Sequence, residues 1–441
     1  MHHELLSMSV QRFVGFLLQE GIGRAHLVYD RDQQKVIASH PQLEPLARYL
    51  EADTRDFMEH EGVFLQVNST GTTLQGAFVH RTQRGQAAGG VRYWTYPTLE
   101  DYLRDGLRLA RGMTRKNALA GLWWGGGKGV IARNPALPVD DPNTRAHIYR
   151  EYGQLLSALR GCYVTAEDVG TRVADMVHVH NSTRFTTCIP TAIGGSGNPS
   201  IPTARGVLCA MEAALDHLNP GDTLAGKTIA VQGMGHVGEP LLRGLLDNGV
   251  AHLIAWDINP ELVHRVTQSL NDDRLDSRVV QPGDDSMLTT PCDVLSPCAV
   301  GAVLNPRTIP LLQATIVCGA ANNQLEDPER DDRLLQERNI LYVPDFLANR
   351  MGIVTCANEQ HGYLHPDPLI ERHLGRDWEH AIFRTTQRIL HHARTEALPP
   401  AAVATALADT LSAETHPLMG HRGQAIIKGL VADRWFEQAP S

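Results

Sequence analysis

The run Gly125-Gly126-Gly127-Lys128-Gly129 places one primary amine in a stretch of backbone almost free of side chains. Its spacing is not that of a Walker A phosphate loop. Glycines at these positions let backbone and a small molecule approach closely, and Leu122, Trp123 and Trp124 just before them suggest a dry setting. A lysine that loses its hydration has its pKa lowered and can serve as a base near neutral pH. Taken alone, a glycine-rich loop of this kind is more often a surface Gly-Lys turn, so other features must place the lysine.

A second glycine pattern is more specific. Thr228 to Gln232 reads as a buried strand and runs into Gly233-Met234-Gly235-His236-Val237-Gly238, which opens a helix through Asp247. A further strand, Leu253 to Trp256, ends at Asp257 and Ile258. Strand, glycine turn, helix, strand and acid in that order read as a Rossmann dinucleotide site. Gly233 allows the tight turn, Gly235 lets the pyrophosphate approach, and Gly238 permits close helix–strand packing, while the helix N-terminus offers amides to the anion. His236, Val237 and Ile258 fall in the same site. Asp257 is placed to accept from the adenosine ribose hydroxyls and would repel a 2′-phosphate. NAD is therefore expected over NADP, although Asn259 and His264 leave NADP open.

These residues need elements to hold them. A helix is expected over about 98–120, because Thr98 and Asp101 form a capping box and Tyr102, Leu103, Leu107 and Ala110 make an apolar stripe. Its last turn carries Met113 and Lys116, three apart and hence on neighbouring surface. Residues 63–67 and 74–80 alternate like strands, and from about 201 short β-branched runs alternate with helices, which implies a parallel sheet. The fold class is α/β. Three segments follow: 1–190 for substrate and oligomerisation, 191–366 as the Rossmann NAD-binding domain, and 367–441 as helices packing back on the first.

A chain of 441 residues exceeds the size at which one core stops growing. A net charge of −9 and a pI near 6.1 argue against a nucleic-acid partner, and the basic cluster from Arg108 to Lys116 reads as helix surface. Neither a signal peptide nor a membrane span is read, so a cytoplasmic location is expected. The seven cysteines form no CxxC pair and read as reduced, buried small hydrophobes. The pairs His2-His3 and His391-His392 lack any Cys or carboxylate pattern of metal spacing, so no metal is expected.

Residues 112–128, GMTRKNALAGLWWGGGK, resemble the signature of the glutamate, leucine, phenylalanine and valine dehydrogenase superfamily. The resemblance continues in AAGGVR at 87–92, TAEDVG at 165–170, GGSGNP at 194–199, CGAANNQ at 318–324 and PDFLAN at 344–349. It implies NAD-dependent oxidative deamination of an amino acid by a homo-oligomer. By resemblance, Lys116 binds the substrate α-carboxylate, Lys128 acts through water as base or acid, and Asp168 takes the amine proton and holds ammonia. Asn323 would contact the substrate, Asn322 the cofactor ribose, and Thr203 the nicotinamide carboxamide. Taken singly, Asp168 reads as a helix cap, Lys116 as a solvated charge and Asn322-Asn323 as a turn. A non-catalytic nucleotide-binding oligomer is the competing reading.

The glutamate enzymes of this family carry a lysine before the Gly-Gly matching Gly89-Gly90, where it meets the side-chain carboxylate. Ala88 stands there in this chain, and a buried carboxylate without a cation costs several kcal/mol, so an apolar or aromatic side chain is expected. The pocket would be lined by Ala88, Gly89, Gly90, Met113, Ile353 and Cys356. Arg350 and the Trp123-Trp124 pair depart from the family pattern and leave a specialised substrate open. Three places for Arg350 are open: solvent, an ion pair, or a polar group of the substrate. The first fifty residues and the C-terminal extension are expected to serve assembly or cap the cleft.

Overall fold

The computed structural model describes residues 2–138, 140–362 and 364–438, and the side chains of His2 and His3 fall outside the described residues. Two sheets organise it. The first joins β1 (Arg24–Asp30), β2 (Lys35–Ala38), β3 (Gly62–Val67), β4 (Leu74–Arg81), β5 (Ala87–Ala88), β6 (Val91–Trp94), β7 (Gly125–Ala132) and β8 (Tyr163–Val164). Their order is β2-β1-β3-β4-β7-β5-β8, with β6 also beside β7. Pairing is antiparallel out to β4–β7 and parallel among β7, β5, β6 and β8. The first fifty residues are built into this domain rather than laid over the cleft. Strands β1 and β2 extend its sheet, and Phe13, Leu17, Leu46 and Leu50 share a core with Tyr102, Leu103 and Leu107.

The second sheet holds β9 (Thr228–Gln232), β10 (His252–Asp257), β11 (Leu275–Val279), β12 (Cys292–Pro297), β13 (Ala314–Val317) and β14 (Leu341–Tyr342). All pairs are parallel in the order β11-β10-β9-β12-β13-β14, the doubly wound arrangement of a dinucleotide-binding domain. Of the C-terminal helices, Ile382–Glu396 stays with this domain, burying Ile389 and Leu390 in the core that contains Val207 and Met211. The return to the first domain follows from there. Helix Pro400–Ser412 carries Asp409 to a two-pronged ion pair with Arg115 at 2.9 Å, and Trp435 is buried edge-on to Phe64, ring centroids 5.5 Å apart.

Helix Leu99–Leu119 starts as its sequence requires: the Thr98 side chain accepts from the Asp101 amide, and the Asp101 carboxylate accepts from the Thr98 amide. Tyr102, Leu103, Leu107 and Ala110 are fully buried against the first sheet. Burial of each large side chain is worth about 1.5–3 kcal/mol. This stripe fixes which face of the last turn, with Met113 and Lys116, overhangs β7.

Residues 125–129 are not the loop expected of a glycine run; they are the buried first half of β7. Ladders to β4 on one side and β5 and β6 on the other satisfy the backbone, so no turn is needed. Glycine is required by proximity instead. A Cβ at Gly126 would lie 2.0 Å from Thr114 Oγ1 and 2.2 Å from its backbone nitrogen, and one at Gly129 would lie 2.2 Å from Tyr152 Oη. Gly126 and Lys128 share one face of the strand and Gly129 the other. The lysine thus projects on the side of the Leu99–Leu119 helix.

Arg350 takes none of the three places left open for it. It is fully buried at the start of helix Met351–Glu359 and donates to the carbonyl oxygens of Leu119 at 2.6 Å and of His380. Thr385 Oγ1 is a weaker third partner at 3.4 Å. Leu119 is the last residue of the helix bearing Lys116, where carbonyls lack intrahelical donors and a cation is favoured. The guanidinium ties both domains and the C-terminal segment together. Trp123, expected in a dry setting, is 42 % exposed, stacked under Arg84 at 4.3 Å and beside His416. Trp124 is the buried member of the pair.

Three stability outcomes follow from these contacts. Arg350→Met leaves the Leu119 and His380 carbonyls without their donor, at a cost of about 2–5 kcal/mol. Thermal melting reads this as a lowered Tm; an unchanged Tm would mean the carbonyls find other donors. Gly126→Ala should destabilise by about 1–3 kcal/mol or more through collision with Thr114. Gly112→Ala on the same helix, where a Cβ would meet nothing within 4 Å, should stabilise by about 0.5–1 kcal/mol. Melting curves of the two variants should therefore move in opposite directions.

Candidate active site

Lys128 lies opposite Phe78 in the β4–β7 ladder, and only 3 % of its surface is exposed. Its Nζ is 2.9 Å from Asp168 Oδ2. Asp168 follows β8 in a turn closed by its own backbone, in which the Asp168 amide donates to Thr171 Oγ1 and that hydroxyl donates to the Asp168 carbonyl. The same Oδ2 accepts from Arg92 Nε at 3.3 Å. Arg92 Nη1 in turn donates to both oxygens of Asp105 at 3.1 Å, and Tyr96 Oη donates to Asp105 at 2.6 Å. Charges alternate along this chain: Lys128, Asp168, Arg92, Asp105.

Burial alone would raise the Asp168 carboxyl, but the Lys128 ammonium and the Arg92 guanidinium outweigh it and hold the group down at about 2. Lys128 moves the other way from what its carboxylate partner would dictate. Loss of hydration lowers its pKa, Asp168 opposes that shift, and Arg92 adds to it. The result is a carboxylate held below its ordinary range beside an amine that gives up its proton more readily than a free lysine.

Lys116 overhangs this pair from the Leu99–Leu119 helix. Desolvation, opposed by Asp345 and reinforced by the like charge of Lys128, brings it down to about 8. Its Nζ donates to Asn322 Oδ1 of the second domain at 3.2 Å, and Asn349 Nδ2 donates to the same oxygen at 2.8 Å. Asn323 beside it is exposed with a left-handed φ of 53°. Next to this polar floor, Ala88, Ile353 and Cys356 lie in one buried apolar cluster, with Met113 packed against it. Gly89 and Gly90 are confined: a Cβ on the first would meet the Gly127 carbonyl and Met113, and on the second the Glu167 carbonyl and Asp168. Cys356 Sγ is 3.3 Å from Cys188 Sγ, and all seven cysteines are free thiols.

The nucleotide half meets this site through Asn322, which accepts from Lys116. Gly233 has φ 96°, a Cβ at Gly238 would lie 2.1 Å from the Gly233 carbonyl, and one at Gly235 would meet nothing within 4 Å. The turn is therefore tight where it needs to be and open at Gly235, which is the cradle a dinucleotide pyrophosphate requires. Asp257 closes β10 with one oxygen accepting from the Met234 amide and the other from the Asn259 amide, both at 2.9 Å. His236 and Ile258 are exposed and Val237 half-buried at this mouth. Thr203 lies in the first turn of helix Ser200–Leu218 and donates to the Pro199 carbonyl at 2.8 Å. Among the described residues no three His, Cys, Asp or Glu side chains cluster to hold a metal ion, and no helix is long and apolar enough to cross a membrane.

Arg92, Asp105, Asn117 and Cys188 were not singled out from sequence. Asn117 Nδ2 donates to the Gly125 carbonyl at 2.5 Å, pinning the helix to the start of β7. Arg92 does stand in the AAGGVR run, and an unassigned arginine inside a glycine motif was the signal available.

Residues 65–185 match the family described as Glu/Leu/Phe/Val dehydrogenase, dimerisation domain, and residues 194–408 match Glutamate/Leucine/Phenylalanine/Valine dehydrogenase. Leucine dehydrogenase of Bacillus subtilis (strain 168) is 41 % identical over 331 residues, covering 75 % of this chain and 85 % of that protein. Valine dehydrogenase of Streptomyces coelicolor is 37 % identical over 367 residues, covering 81 % and 93 %. The solved structure of L-tryptophan dehydrogenase from Nostoc punctiforme superposes with a TM-score of 0.65 at 30 % identity, covering 80 % of this chain and 96 % of the other.

Proposed function

Since this chain belongs to the Glu/Leu/Phe/Val dehydrogenase family, we propose that it catalyses the reversible, NAD-dependent oxidative deamination of an L-amino acid with an apolar or aromatic side chain to a 2-oxo acid and ammonia. The observation that carries this reading is the Lys128–Asp168 pair, 2.9 Å apart at the floor of a cleft whose neighbouring wall is apolar. The relatives named for leucine, valine and tryptophan dehydrogenation span aliphatic and aromatic substrates. Ala88, buried where a cation would be needed for glutamate, supports an uncharged side chain. The match of residues 65–185 to a dimerisation domain supports a homo-oligomer.

Lys116 holds the substrate carboxylate, exchanging its contact with Asn322 for a stronger charge-assisted one. A bound nicotinamide dinucleotide, held by the Gly233–Gly238 turn, Asp257, Asn322 and Thr203, supplies the acceptor for the hydrogen and electron pair leaving the α-carbon. Asp168, with Oδ2 held by Lys128 and Arg92, receives the proton that the substrate ammonium loses before hydride departs and stabilises the positive charge that develops on the nitrogen, while Lys128 handles the water. Neutral Lys128 takes a proton from the water that adds to the α-carbon, and its ammonium form returns one to the departing nitrogen. Asn323 contacts the substrate from the other wall of the cleft. Arg350 and Trp123 are engaged with the Leu119 carbonyl and the Arg84 guanidinium. Trp124, in contrast, lies in the apolar cluster that includes Ala88, Ile353 and Cys356, so it is the departure from the family pattern that bears on the choice of side chain.

A screen of the twenty L-amino acids against NAD and NADP, read by formation of reduced nicotinamide, tests the proposal. Turnover is expected with branched or aromatic substrates and little with glutamate; no turnover with any pair would overturn it. Lys128→Ala should lower kcat by about 10²–10⁴-fold while cofactor affinity is kept. The neutral amine is the working form, so kcat/KM should rise with pH along a limb centred below the ordinary 10.5 of lysine, which a pH–rate profile reads. Asp257→Asn removes the charge opposing a 2′-phosphate and keeps an acceptor for the Met234 amide. It should raise the NADP/NAD preference by at least about tenfold in kcat/KM.

A further inference from the structure

Arg92 touches neither the substrate groups nor the cofactor groups placed above, yet it is the residue on which the geometry of Asp168 turns. Three elements meet there: β6 supplies Arg92, helix Leu99–Leu119 supplies Asp105, and the turn after β8 supplies Asp168. The guanidinium is braced on one side by both oxygens of Asp105 at 3.1 Å, itself held by Tyr96 Oη at 2.6 Å. On the other side it reaches Asp168 through Nε alone, at 3.3 Å, and on the oxygen that Lys128 already occupies. Asp168 Oδ1 accepts no hydrogen bond from the described residues. An arginine held from two of its nitrogens, Nη1 on Asp105 and Nε on Asp168, has little rotational freedom, and a carboxylate with one oxygen held by two cations presents the other in a fixed direction.

Building on the deamination reading, we propose that Arg92 is a positioning residue for the reaction: clamped by Asp105 and Tyr96, it fastens Asp168 Oδ2 beside Lys128 and keeps Oδ1 free for the substrate amine. The charges facing Lys128 are Asp168 from the turn after β8, Arg92 from β6, and Asp105 and Lys116 from the Leu99–Leu119 helix. Removing the positive charge of Arg92 makes protonation of Lys128 easier and raises its pKa. Removing the negative charge of Asp105 makes it harder and lowers it. A residue that merely filled space would move neither.

The test compares Arg92→Gln, Arg92→Lys and Asp105→Asn with the wild-type enzyme in pH profiles of kcat/KM, with folding checked by thermal melting. For Arg92→Gln, kcat/KM should fall by about 10²-fold and the ascending limb should move up by roughly one pH unit. Arg92→Lys should return the limb toward its original place but not the full rate, since a single ammonium nitrogen cannot replace Nη1 on Asp105 and Nε on Asp168 at once. Asp105→Asn should shift the limb to lower pH. The pH dependence of reductive methylation of Lys128 by formaldehyde, read by peptide mass spectrometry, reports the same shifts without turnover. A wild-type enzyme inactive on every amino acid would count against the deamination reading alone, because the methylation arm still decides the role of Arg92. Limbs and methylation profiles of the variants that superpose on the wild type would overturn the proposal.

Discussion

Four ionised side chains in contact, one buried and three half-buried, are tolerable only if their charges alternate and nearly cancel. In the sequence Lys128, Asp168, Arg92, Asp105 each charge has an opposite neighbour within 3.3 Å, and the formal sum is zero. The desolvation penalty of any one of them would be several kcal/mol if it stood alone. That requirement dictates much of the first domain. The four residues come from β7, the turn after β8, β6 and the Leu99–Leu119 helix, so strand order and helix placement must be correct together before the cluster is neutral. The price is a lysine that is destabilised as a cation, which is what the proposed chemistry uses.

Close approach makes that convergence possible. With the Leu99–Leu119 helix resting on the backbone of β7 at Gly126, and Tyr152 and Tyr163 pressed against Gly129 and Gly127 from the opposite face, the strand is squeezed from both sides. The one side chain it raises among the glycines is the lysine. Its direction is set by strand parity, and its height by the thickness of the helix stripe of Tyr102, Leu103 and Leu107. Rigidity of this kind suits a site in which small displacements of a base are costly.

Local signals made part of this legible in the sequence. The capping box of Thr98 and Asp101, the apolar stripe behind it, and the strand–glycine turn–strand unit from Thr228 to Asp257 are read from residues a few positions apart, and the folded chain has them at the same places. What escaped depends on distant partners. Gly125–Gly129 looks like a loop until Tyr152 and Tyr163 are known to lie against it. Arg350 looks like a surface or substrate-facing charge until the carbonyls of Leu119 and His380 come into reach. Arg92 acquires meaning only from Asp105 and Asp168, which no spacing rule connects to it. Asp168 itself is singled out by resemblance, and only the folded chain shows its Oδ2 accepting from both Lys128 and Arg92.

The two halves of the cleft are not independent bodies joined by a passive linker. On helix Met351–Glu359, Met351 and Val354 belong to the core of the nucleotide-binding sheet, while Ile353 and Cys356 belong to the apolar cluster beside Ala88. Glu359 at its end accepts from the amides of Cys188 and Ile189, in the segment that leads from the first domain into the second. Arg350 at its start holds the end of the helix that bears Lys116. Any rotation of one domain against the other must therefore move the apolar wall and Lys116 together. A substrate whose side chain fits that wall and whose carboxylate reaches Lys116 would favour the same relative placement of the domains through both ends, so recognition of the side chain and alignment of the α-carbon over Lys128 become one event.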